Sequence, residues 1–68
     1  MNKNLLKSII VRNGDSGKSL AGYLNMTNGT FSRKINERKG AEFTVGEILK
    51  IRTKYQLSAT DIDQIFFT

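Results

Sequence analysis

Residues 16–37 read SGKSLAGYLNMTNGTFSRKINE, and the pattern of this stretch decides the fold. Ser16 is suited to cap a short helix running to about Leu24, because its hydroxyl oxygen can accept from an unpaired first-turn N–H. Leu20, Tyr23 and Leu24 fall at i, i+3, i+4 and are expected to face a core. Ala21 sits beside that stripe, where a small side chain lets another helix approach closely. Asn25 tolerates the positive φ that a tight turn requires. Thr27 then caps a further helix, with Met26 before the cap and Phe31 within the helix spaced as a hydrophobic staple. Phe31 and Ile35 point inward. Asn28, Gly29, Thr30, Ser32, Arg33, Lys34, Asn36 and Glu37 leave an unusually broad polar and basic face. Gly29 costs about 1 kcal/mol there relative to alanine. Either it permits close approach of a ligand to the backbone, or it is simply tolerated.

The flanks read as support for this helix pair. Residues 2–12 carry Leu5, Leu6, Ile9 and Ile10 as one apolar stripe, with Lys3, Lys7 and Ser8 left for solvent. Asn13 and Gly14 both tolerate the left-handed conformation that ends many helices. Residues 38–42 form a loop whose start, Arg38-Lys39, is basic. Thr44 and Glu47 then make a capping box, with Phe43 and Ile48 as a staple around it. That helix is expected to run to about Tyr55, with Ile48, Ile51, Arg52 and Tyr55 along one side. Ser58 caps a last helix, Asp61 favours its positive end, and Leu57 can staple to Ile62. Ile62, Ile65 and Phe66 form the final inward stripe, although residues 65–68 could extend as an edge strand instead. The expectation is one all-α domain of five short helices spanning residues 1–68.

Composition narrows the chemistry. Sixty-eight residues allow one small core, and with no cysteine and no histidine the chain lacks thiol chemistry, imidazole acid–base work and the usual zinc ligands. No cofactor or metal is expected, and no recognisable catalytic constellation argues for an enzyme. No apolar run approaches the ~20 residues of a membrane span, and Lys7 and Ser8 interrupt the apolar patch that a signal peptide would need. A cytoplasmic protein is the expectation. The net charge of +5 is unevenly spread: residues 1–41 hold eight Lys/Arg against two acids, whereas residues 42–68 hold three against four. A basic half built around a polar helix suggests a surface aimed at a polyanion.

Leu20 to Ile35, LAGYLNMTNGTFSRKI, resembles the helix-turn-helix of phage Cro and repressor proteins and the related Xre-type regulators. Leu20, Ala21, Leu24, Met26 and Phe31 fit the spacing of that motif. A supporting helix before it and capped helices after it fit the five-helix repressor-type domain. Three positions depart from the pattern: Asn25 replaces the turn glycine, Gly17 stands where a phosphate-contacting glutamine is frequent, and Gly29 where a base-reading side chain is frequent.

The resemblance implies that the second motif helix lies in the major groove of double-stranded DNA. Asn28, Ser32, Arg33 and Asn36 are then the expected base-reading residues. Asn suits adenine N6/N7 and Arg suits guanine O6/N7, whereas a phosphate contact or a solvated charge is the plainer role for Arg33. Lys18, Thr27, Thr30, Lys34, Arg38 and Lys39 are expected at the DNA backbone, where contacts set register and salt-dependent affinity. A monomer reads too few base pairs to select one operator, so paired half-sites and a weak or DNA-induced homodimer are expected. Phe67, off the last inward stripe, is the expected interface residue unless it belongs to a frayed end. No small-molecule effector is evident. The leading expectation is a sequence-specific transcriptional regulator that occludes a promoter. The alternative is a protein-interaction module, such as an antirepressor that binds another regulator.

Overall fold

The computed structural model describes residues 1–67, and among them the chain forms five α-helices and no strand. The helices are α1 (Lys3–Arg12), α2 (Gly17–Tyr23), α3 (Asn28–Ile35), α4 (Val45–Tyr55) and α5 (Ala59–Phe66), with a short 3-10 turn at Arg38–Gly40. Each α-helix starts at a side-chain cap: Asn2, Ser16, Thr27, Thr44 and Ser58 accept from backbone N–H groups three residues on. Thr44/Glu47 and Ser58/Asp61 are both reciprocal capping boxes. These local devices matter because helices of 7 to 11 residues are too short to persist alone in water.

One fully buried residue from each of four helices meets at the centre: Leu6 of α1, Leu20 of α2, Ile51 of α4 and Ile65 of α5. Each contributes about 1.5–3 kcal/mol by leaving water. Helix α3 adds Phe31 and Ile35, both buried. An edge-to-face series then runs across the domain, from Phe31 to Phe43 (5.8 Å between centroids) and on to Phe66 (5.9 Å). It ties α3 through the α3–α4 connection to α5. The first helix is joined to the last by the backbone N–H of Asn2 donating to the carbonyl of Ile65.

Several local expectations are revised. Tyr23 does not face the core: it is 45% exposed, with the Lys54 ammonium 4.6 Å from its ring centroid. Ala21, 1% exposed, takes the buried place, since a small side chain suits close helix packing. Of the pair ending α1, only Gly14 is left-handed (φ 75°). Asn13 keeps φ −91° and its side-chain amide donates to the carbonyl of Ile9 at 2.8 Å. The α3–α4 connection is not a plain loop, because Glu37 (φ 52°) and Lys39 (φ 53°) are both left-handed without being glycine. At the C-terminal end, α5 is helical through Phe66 and Phe67 is its cap, so no edge strand forms over residues 65–67. Thr68 lies outside the described residues.

Candidate nucleic-acid interface

Helix α3 packs on the core by one apolar side, Phe31 and Ile35. Thr27 accepts from the Thr30 N–H at 3.2 Å, and Asn25 adopts φ 59° just before it, so chain direction changes within four residues of α2. With Phe31 and Ile35 packed inward, 3.6 residues per turn place Gly29 and Arg33 on the opposite side, outward. Thr30 flanks them on one edge, while Asn28, Ser32 and Asn36 form a row on the other. No carboxylate lies within α3.

Two hydrogen-bonded rows order this face. The Thr27 hydroxyl donates to that of Thr30 at 3.1 Å, and Arg33 Nη2 donates to Thr30 Oγ1 at 3.2 Å. The guanidinium is thus parked on an exposed neutral hydroxyl, an interaction weak enough to be exchanged for a stronger acceptor. In the other row, Asn36 Nδ2 donates to the Ser32 carbonyl at 2.9 Å, and Lys3 Nζ of α1 donates to Asn36 Oδ1 at 3.1 Å. Asn36 is therefore half-buried and engaged at both ends of its amide, whereas Asn28, Ser32 and Arg33 are exposed.

The expected backbone contacts divide in the same way. Lys18, Arg38 and Lys39 are exposed. Lys34 is not: its side chain keeps 18% of its exposure, and its ammonium donates to both carboxylate oxygens of Glu47 at 2.8 and 3.0 Å. Burial disfavours the charge on Glu47, but the bonds from Lys34 and Thr44 outweigh it and hold the carboxyl below its ordinary pKa. Lys34 works as a tie between α3 and α4.

A groove of about 480 Å³ runs beside α3, between α1 and the start of α2. Asn28, Ser32 and Asn36 border it together with Lys7 and Lys18, and Ile10, Val11, Phe31 and Ile35 contribute apolar surface. Spacing within α1 alone leaves Lys7 to solvent. It joins this set because α1 crosses beside α3, which no local pattern within α1 could signal. Gly17 also gains a structural reason: a Cβ there would meet Phe31 Cε2 at 3.3 Å. The ring sits against the backbone where a longer residue's stem would begin. At Gly29 a Cβ would meet nothing nearer than Thr27 Oγ1 at 4.0 Å, so packing does not explain that glycine.

Among the described residues, no group of three or more His, Cys, Asp or Glu side chains could hold a metal ion, and no helix is long and apolar enough to cross a membrane. No protein family, curated protein or solved structure matches the chain.

Proposed function

We propose that this protein is a sequence-specific DNA-binding transcriptional regulator, of the Cro-like or small-repressor kind, acting in the cytoplasm of a bacterial host. The observation that carries the reading is the one-sided apolar anchoring of α3. Phe31 and Ile35 secure it to the core, while Asn28, Ser32 and Arg33 remain exposed on a helix without carboxylates. A helix of that width fits the major groove, where amide and guanidinium groups can distinguish base pairs. Lys7, Lys18, Arg38 and Lys39 surround it with cations suited to phosphates on either side. Binding would act by occlusion, through α3 seated in promoter DNA.

The test is salt-titrated binding to the DNA flanking the protein's own gene, against random duplex of equal length. Affinity should fall linearly with salt on logarithmic axes, and the preferred site should survive competitor DNA. Absence of binding even at low salt, with capture of another regulator instead, favours the protein-interaction alternative and ends the DNA reading.

A further inference from the structure

Three segments distant in sequence wall the groove beside α3: the second half of α1, the start of α2 and α3 itself. Its floor is apolar. Ile10, Phe31 and Ile35 are core residues whose outer edges line it, and Val11, 72% exposed, stands beside them. Gly17 keeps that floor open, because even a Cβ there would lie 3.3 Å from the Phe31 ring. Along α3 the lining runs from Asn28 to Asn36, about 12 Å at the helical rise. The volume of about 480 Å³ falls within the range of small-molecule sites.

The charge around that floor selects the ligand. Lys7 and Lys18 border the groove, both exposed, and no acidic side chain lines it. Neither ammonium meets a carboxylate among the described residues. Exposed Asn28 and Ser32 add an amide and a hydroxyl on the α3 side. A sugar–phosphate strand would use the lysines and leave the apolar floor idle, and an organic cation would meet two like charges. A compact anion with an apolar body uses both features. We propose that the groove binds a small amphipathic anion, a carboxylate or sulfonate whose apolar body covers Val11 and Phe31 while Lys7 and Lys18 hold its acid group.

The place of the groove makes such an anion a regulator. Asn28 and Ser32 belong both to its wall and to the proposed base-reading set, so the anion and operator DNA compete for one surface. By linkage, each weakens the other's binding by the same factor. This last step rests on the proposed DNA binding; the anion site does not.

Fluorescence titration of the DNA-free chain with anilinonaphthalene sulfonate tests the site, with uncharged phenylnaphthylamine as the comparison. The sulfonate should bind saturably, one per chain, and at least tenfold more tightly than the amine. Lys7→Gln combined with Lys18→Gln should erase that preference, and Val11→Asp should weaken the sulfonate at least tenfold. Leu49→Gln and Lys50→Gln, at exposed positions of α4, should change nothing. Equal binding of the two dyes, indifference to the lysine and Val11 exchanges, or loss of binding in Leu49→Gln overturns the proposal. Saturating sulfonate should also lower wild-type affinity for the preferred DNA site at least fivefold at constant salt. Unchanged DNA affinity with the sulfonate bound overturns the competition. A chain that binds the sulfonate in this way but no DNA rejects only the DNA reading.

Discussion

Lys34 and Glu47 join the proposed reading helix to the helix behind it. The ammonium bonds both carboxylate oxygens, and Glu47 Oε1 also accepts the Thr44 N–H at 2.9 Å. One carboxylate thus closes the capping box of α4 and fixes the last turn of α3. Both side chains are about four-fifths buried, so water screens the pair less than a surface ion pair. The orientation of α3 against the core depends on this tie as well as on Phe31 and Ile35.

Removing the tie should cost stability more than removing an exposed lysine. Lys34→Met is expected to destabilise the domain by about 1–2 kcal/mol, because Glu47 keeps its burial and loses a charged donor. Lys39→Ala should lie within about 0.5 kcal/mol of wild type. Urea unfolding monitored by helical circular dichroism measures both, and equal effects would show that the pair contributes nothing.

Acid should loosen the same tie. The Glu47 carboxyl is held below its ordinary value of 4.5 in the folded chain. Between the folded value and 4.5 the unfolded chain therefore binds more protons, and stability rises with pH. The contribution is complete above 4.5 and is lost as pH falls through the folded value. Asp61 has the same sign, through the N–H and hydroxyl of Ser58. Urea midpoints from about pH 6 to pH 3 should fall less steeply for Glu47→Gln than for wild type. Parallel profiles would reject the assignment.

The two glycines of the candidate interface should respond oppositely to alanine. Gly29→Ala places its methyl in unstrained contact, no nearer than 4.0 Å to Thr27 Oγ1, and removes backbone entropy from the unfolded chain, so a gain of a few tenths to about 1 kcal/mol is expected. Gly17→Ala presses on Phe31 and should gain nothing or lose stability. If Gly29→Ala stabilises the fold yet weakens DNA binding, the glycine serves close approach to DNA. Unchanged binding would leave it without a functional role.

Arg33 and Lys39 should separate sequence reading from charge. Arg33→Ala is expected to lose about 1–3 kcal/mol on the preferred site and to relax preference at one base pair. Lys39→Ala should weaken all sequences alike and reduce the salt slope by about 1. Equal losses on specific and random DNA would remove Arg33 from the base-reading set.

The caps and turns were legible because they are local. Ser16, Thr27, Thr44 and Ser58 cap the helices expected of them, and Asn25 takes the left-handed turn, since each signal involves residues within a few positions. The left-handed Glu37 and Lys39 carried no such signal. Their conformations belong to a connection whose ends are already placed, and Glu37 also meets the N-terminal ammonium at 3.0 Å. Tyr23 departs from the expected core stripe for a related reason. Helical spacing marks a stripe but not its width, and α2 is seven residues long with only Leu20 and Ala21 buried within it.

The sequence by itself determined five helices, their capped starts, and a third helix whose apolar anchor is two residues wide. Short-range hydrogen bonding and the 3.6-residue period suffice for that. Only the tertiary structure decided which polar side chains remain available. It tied Lys34 to Glu47 and Asn36 to Lys3, brought Lys7 to the groove that Asn28 also borders, and left Val45 and Leu49 uncovered. Those outcomes depend on how helices distant in sequence cross, because a side chain's partners are set by what packs beside it.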